Sequence, residues 1–152
     1  MSKSEKPTSE SSAGKAKVRF FLADEFLQQV DGKVSAISLY ADDVVVLHVA
    51  PDTPQPSAAT PIALDRLSFM ASVTGLSGIH KVSWVFDSPT TSGAPTIQPR
   101  EVNFLPERSA TFIAAARPMV ISSFGKKKAA LLIDDVRFPF EYELRHSPAS
   151  NA

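Results

Sequence analysis

The stretch that decides the fold is VRFPFEYELR, residues 136–145. Every second position in it is apolar: Val136, Phe138, Phe140, Tyr142 and Leu144. Successive side chains of a strand point to opposite faces, so this alternation predicts a β-strand with one face in a core and the other in water. Pro139 lies on the polar face and has no N–H to donate, which predicts a sheet edge or a bulge at that position.

The same alternation occurs twice within residues 67–87. One run has apolar residues at every second position from Leu67 to Val73, and the other has them from Val82 to Phe86. Between the runs lies Gly75-Leu76-Ser77-Gly78, whose glycines adopt positive φ at little cost. We therefore predict a β-hairpin over residues 67–87.

Other segments predict further strands. Residues 18–23 and 33–40 flank the turn dipeptide Asp31-Gly32 and are expected to pair as neighbours. Residues 24–29 between them could form a helical turn, but the segment is short of the roughly 12 residues that an isolated helix needs. Four more apolar runs are expected as strands, the second and third being separated by Arg117-Pro118: residues 44–49, 111–116, 119–124 and 129–133. Prolines concentrate in two segments, which predicts long surface loops: Pro51, Pro54, Pro56 and Pro61 in one, and Pro89, Pro95, Pro99 and Pro106 in the other.

About eight short strands without an amphipathic helix predict an all-β fold, an antiparallel two-sheet β-sandwich. Immunoglobulin-like, C2-like and jelly-roll strand orders satisfy the same alternation, so all three stay open. The tails 1–16 and 146–152 lack the apolar residues needed to order a chain, and a single domain is expected over 17–145.

Composition excludes several classes of protein. The 152 residues are 43% hydrophobic and 21% charged, and 16 basic side chains balance 16 acidic ones, so no overall field attracts nucleic acid or a membrane surface. The absence of cysteine excludes disulfides and thiolate chemistry. No apolar run is long enough to span a membrane or to resemble a secretory signal, and we expect a cytoplasmic protein without membrane contact.

No catalytic constellation is visible. His48 and His80 lie in predicted strands and His146 lies in the predicted tail, while Gly75-Leu76-Ser77-Gly78 lacks the spacing of a nucleophile elbow. An enzyme would require His48 or His80 in a pocket beside a carboxylate. No phosphate-binding motif is present, and no cofactor is expected.

Two charged motifs allow a binding function other than protein recognition. Asp42-Asp43 and Asp134-Asp135 suggest calcium, but neighbouring residues of a strand point to opposite faces, so turn and edge roles are favoured and no metal is assigned. Lys126–Lys128 is the local basic run. Nucleic-acid binders usually add exposed aromatic rings, whereas Trp84 follows the inward pattern, so a solvated turn is favoured over a nucleic-acid site.

Consecutive hydrophobes place apolar side chains on both faces of a strand, where one core cannot cover them all. Such runs occur at residues 20–21, 44–46 and 131–133. From strand parity and loop position, four residues are predicted at an interface: Phe21, Val45, Pro54 and Leu132. The sequence thus predicts a non-enzymatic module that binds a protein partner or forms a homo-oligomer. The alternative is a small-ligand or calcium-dependent binding module built on loops at one end of the sandwich.

Three motifs near the start carry a family resemblance. Leu22-Ala23-Asp24, then Asp31-Gly32-Lys33, then the apolar residues 37–40 resemble the start of a family of small bacterial β-sandwich proteins catalogued as domains of unknown function. The resemblance covers residues 18–45, with a weaker echo in the final strand. The family has glycine after the isoleucine of the second strand, where this chain has Ser38. The resemblance implies a sandwich and no catalytic residues.

Overall fold

The computed structural model describes residues 13–87 and 97–148. Over these ranges the regular elements are eleven strands: β1 (Lys17–Gln28), β2 (Val34–Leu39), β3 (Val44–Val49), β4 (Ile62–Leu64), β5 (Leu67–Thr74), β6 (Gly78–Asp87), β7 (Ile97–Phe104), β8 (Ala110–Ala116), β9 (Met119–Ile121), β10 (Gly125–Ile133) and β11 (Val136–Pro148). The fold is all-β, as the alternation predicted.

The strands form three sheets. A four-stranded sheet has the order β2-β1-β5-β8, a five-stranded sheet has the order β3-β11-β10-β6-β7, and β4 pairs with β9. The expectation of purely antiparallel sheets was wrong, because β3 runs parallel to β11. Parallel neighbours need a long crossover, and the whole chain between β3 and β11 provides it here.

Aromatic rings connect the two larger sheets. Phe20 of the four-stranded sheet stacks on Phe140 of the five-stranded sheet with ring centroids 5.0 Å apart. Phe69 lies 4.9 Å from Phe86 and 5.1 Å from Tyr142, again across the two sheets. Trp84 is only 3% exposed, which confirms its assignment to the core. Each buried ring of this kind stabilises the fold by roughly 1.5–3 kcal/mol.

The predicted hairpin over residues 67–87 was wrong. β5 pairs with β1 and β8, whereas β6 pairs with β10 and β7, so the segment between them crosses from one sheet to the other. Leu76 in the crossing is buried in the core. Gly75 has φ of +90° and lies close to the backbone of Lys15, so it combines a left-handed conformation with a tight approach.

A true hairpin joins β10 to β11. Residue 133 lies opposite residue 136, and the two turn residues, Asp134 and Asp135, have φ of 51° and 75°. Positive φ at both turn positions matches the right-handed twist of the flanking strands, and aspartate tolerates it. Pro139 precedes the part of β11 that pairs with β3. At Pro139, β11 therefore has a paired strand, β10, on one side only, which confirms the predicted sheet edge at that position.

Several boundaries differ from the sequence-based prediction. β1 continues through residues 24–28 as a strand and pairs with β2, which confirms the pairing but not the helical turn. Ala13 is buried and β11 extends to Pro148, so ordered structure passes both predicted domain boundaries. Residues 97–104 form β7 within the second proline-rich segment, while Pro89 and Pro95 lie outside the described residues.

Ser38 has an unusual backbone for its residue type. Its φ is 58°, in the left-handed region that glycine occupies at little cost. This is the position at which the resembled family has glycine.

Candidate interaction surfaces

The outward side of the four-stranded sheet carries a row of apolar side chains. Phe21 of β1 lies opposite Met70 of β5, and Met70 lies opposite Ile113 of β8. Residues directly opposite each other in antiparallel strands share a face, and Phe20, the neighbour of Phe21, points into the core. The row therefore points outward, and all three side chains are partly exposed.

The apolar row continues onto the edge strand β2. Ile37 and Leu39 are 38% and 51% exposed, and Leu39 lies opposite Ala23, next to the row. Leu27 at the end of β1 adds a further exposed apolar side chain. We call the surface formed by Phe21, Leu27, Ile37, Leu39, Met70 and Ile113 the apolar face.

Cations surround the apolar face. Lys17 and Arg19 lie on the same side of β1 as Phe21, at the start of the strand. Glu25, which lies on β1 between Phe21 and Leu27 and opposite Ile37, forms ion pairs with both Arg66 and Arg117. Four cations and one carboxylate give this rim a net charge of three positive, although the whole chain is neutral.

The outward side of the five-stranded sheet is different. Cross-strand pairs of opposite charge lie at one end of β10 and β11, because Lys126 lies opposite Glu143 and Lys128 lies opposite Glu141. Arg145 donates two hydrogen bonds to Glu143, each 3.1 Å long. These hydrogen bonds lower the pKa of Glu143 and keep it ionised. We call this surface the charged face.

Lys127 corrects the prediction that residues 126–128 form a solvated turn. The three lysines lie in strand β10, so Lys126 and Lys128 point outward while Lys127 points to the core side and is 8% exposed. Its Nζ donates a hydrogen bond of 2.7 Å to Ser123 Oγ, and burial lowers the pKa of its ammonium group. The run therefore does not act as one basic patch.

The four predicted interface residues do not lie together. Phe21 is on the apolar face, and Leu132 is half-buried on the charged face, opposite Arg137. Val45 points inward and is 1% exposed, so its side chain offers almost no surface to a partner. Pro54 is exposed on the loop between β3 and β4.

Met70 and Ile113 complete the row that begins with Phe21, and neither was predicted from the sequence. A signal for Met70 was present, because it occupies a polar position of an alternating strand. Ile113 lies within an apolar run, where alternation gives no such signal.

His80 lies beside a carboxylate, which is one of the features that an enzyme would require of this histidine. Its Nδ1 bonds Asp134 in the β10–β11 turn, and its Nε2 bonds the carbonyl of Ser77 at 3.0 Å. Both ring nitrogens of His80 are thus engaged by oxygen atoms of the protein itself. His80 thus ties the β5–β6 crossing to the β10–β11 turn. His48, by contrast, is exposed on β3.

The Asp134 carboxylate is at the centre of these hydrogen bonds. It also accepts a hydrogen bond of 2.9 Å from the backbone N–H of Lys81. Burial alone would raise the pKa of Asp134, but the hydrogen bonds from His80 and Lys81 outweigh burial, and the pKa lies below its ordinary value. The carboxylate is therefore held ionised as a structural group.

The aspartate pairs do not form a metal cage. Within residues 13–87 and 97–148, no group of three or more histidine, aspartate or glutamate side chains converges. Asp43 has φ of 58°, which is typical of a turn residue. Burial, together with the charge of Asp42, raises the pKa of Asp43. Over the same ranges no helix is long and apolar enough to cross a membrane.

Comparison with known proteins does not assign the chain. No family model matches it, and no curated protein matches its sequence. The resemblance seen in residues 18–45 stays a prediction.

Proposed function

We propose that the chain is a non-enzymatic β-sandwich module that binds protein through the apolar face. The observation that carries this proposal is the row Phe21, Met70 and Ile113 across three strands, extended by exposed side chains of β2. Contiguous apolar surface with a polar rim is typical of protein interfaces. On the charged face, the apolar residues Val85, Ala130, Leu132 and Pro139 lie beside cross-strand pairs of opposite charge.

The rim charge favours a foreign protein over a second copy. Two copies that meet through this face would bring Lys17 and Arg19 near other cations of the same rim, and like charges across an interface cost several kcal/mol. A partner with apolar residues at its centre and acidic residues around them would complement both features. Such a partner would meet the module in the cytoplasm, given the sequence prediction for its location.

Affinity capture with the immobilised chain tests this function. The parent is compared with Ile113→Lys, which places a charge in the apolar row, and with Val85→Lys as the matched control. Val85 is a half-buried strand residue on the outward side of β6. We expect proteins retained by the parent and by Val85→Lys to be lost from Ile113→Lys by about tenfold or more, since the lysine would bury a charge within an apolar contact.

Equal retention by all three chains would contradict the proposal. Thermal unfolding of each variant establishes that the lysine has not unfolded the sheet. A light-scattering mass of the parent across a dilution series, with and without calcium, separates the remaining alternatives. A mass near 16.4 kDa is expected at low salt, and a multiple of it would favour self-assembly.

A further inference from the structure

A cavity of about 530 Å³ lies between strands β3 and β4. Its lining includes residues 45–49 of β3 and residues 62–66 of β4 and the segment after it. Asp24 of β1 and Tyr40, just after β2, complete it. We call this cavity the β3–β4 slot.

Both strands turn their edges to the slot. Five consecutive residues line it on each side, whereas a strand that presented a face would contribute only every second residue. β3 is the last strand of the five-stranded sheet, and β4 pairs with β9 on one side. Within the described ranges, no backbone hydrogen bond outside these pairings engages residues 45–49 or 62–66.

Unpaired strand edges are templates for another strand. A segment that entered the slot could form main-chain hydrogen bonds with one edge or both, as in recognition by β-strand addition. Five residues of β3 span roughly 13 Å, which sets the length of segment that the slot accommodates. Val46 and His48 on the outward side of β3 are exposed and would flank such a segment.

The charges around the slot favour a basic segment. Asp24 and Asp65 line it together with Arg66, whose guanidinium forms an ion pair with Glu25. The lining therefore holds two carboxylates and one guanidinium group that is already paired. Asp24 is held in place by a 2.6 Å hydrogen bond from the Tyr40 hydroxyl, and the pKa of Tyr40 is raised to about 12 by burial and by that aspartate.

We propose that the β3–β4 slot binds an extended segment of a partner protein that pairs with these strand edges and places a lysine or arginine beside Asp24 and Asp65. This site shares Arg66 with the rim of the apolar face, but its strand edges on β3 and β4 are not part of that face.

NMR titration of the labelled full chain tests the proposal. The probe is a short, acetylated and amidated peptide of alternating threonine and valine with one central arginine. We expect amide shift changes in residues 45–49 and 62–66. A matched peptide with central glutamate should bind about tenfold more weakly because it meets like charges. The same arginine peptide with N-methylated backbone amides should not bind, because it lacks the main-chain donors.

Two variants locate the charge recognition. Asp65→Asn, at an exposed residue, should weaken binding of the arginine peptide about threefold, the effect of a partly screened ion pair. Asp31→Asn, at the exposed β1–β2 turn, is the matched control and should leave binding unchanged.

Three results would overturn the proposal. One is the absence of shift changes in both strands on addition of the arginine peptide. Another is equal binding of the N-methylated peptide, which would exclude edge pairing. The third is equal binding of acetyl-arginine methylamide, which would make the slot a site for small cations.

Discussion

The two outward faces of this molecule are built from the same kind of strand and carry opposite surfaces. On the four-stranded sheet, cross-strand neighbours are apolar, as in Phe21, Met70 and Ile113. On the five-stranded sheet, cross-strand neighbours pair opposite charges, as in Lys126 with Glu143. Opposite charges satisfy each other within the sheet and leave nothing for a partner to complete, whereas apolar side chains in water gain free energy when a second surface covers them.

The cations show the same difference. Lys126 and Lys128 each face a carboxylate across the sheet, while Lys17 and Arg19 face Thr74 and Ser72. The rim of the apolar face therefore has charge available for an acidic partner.

Charge reversal at two matched pairs of cations should show which of the two faces binds the partner. Lys17→Glu with Arg19→Glu removes rim cations two residues apart on β1, and Lys126→Glu with Lys128→Glu makes the same change on β10. We expect the rim variant to lower partner affinity by about tenfold or more, with a weaker dependence on salt, and the β10 variant to leave affinity unchanged. Affinity measured at two salt concentrations decides this, and equal losses from both variants would break the comparison.

Asp134→Asn should destabilise the five-stranded sheet. The amide keeps the shape of the side chain and tolerates the positive φ of the turn, but it removes the charge bound by His80. We expect a loss of about 1–3 kcal/mol in the free energy of unfolding at neutral pH.

The pH dependence of the free energy of unfolding gives a second test of the hydrogen bond between Asp134 and His80. The folded pKa of Asp134 is depressed, so its contribution is complete above the ordinary value of 3.8 and disappears as pH falls below it. Denaturant unfolding from neutral pH to below that value should show the parent and Asp134→Asn converging. Asp135→Asn, at the exposed neighbouring turn residue, is the control and should match the parent throughout. A constant difference at all pH values would show that charge is not the cause.

Ser38→Gly should stabilise the edge of the four-stranded sheet. Glycine occupies φ near 58° without the strain that serine has there, and we expect a gain of about 1 kcal/mol. Ala36→Gly, on the same strand, should instead lose about 0.5–1 kcal/mol. Thermal unfolding compares them. Destabilisation by both substitutions would contradict strain at Ser38.

Sequence patterns predicted where the strands lie better than they predicted which strands pair with each other. The alternation in residues 136–145 identified β11 and its inward face, because side-chain direction depends only on the local backbone. The segment 67–87 shows the limit, since Gly75 and Gly78 suit a hairpin and an inter-sheet crossing equally well. Burial of Leu76 makes the crossing stable, and that depends on contacts distant in sequence.

The same limit applies to the candidate surfaces. Phe21 was predicted because two adjacent aromatic residues must point to opposite faces. Val45 was predicted by the same reasoning, yet the structure places it in the core, because adjacency does not say which of two neighbours points inward. Met70 and Ile113 join Phe21 only through strand register, which a single sequence does not specify.

Site-specific photo-crosslinking tests the central claim most directly. A photoreactive residue at position 70, in the middle of the apolar row, is compared with the same residue at position 132 on the charged face, both in the full chain within cells. We expect a protein adduct from position 70 and none from position 132. Adducts from position 132 alone, or none from either position, would contradict it.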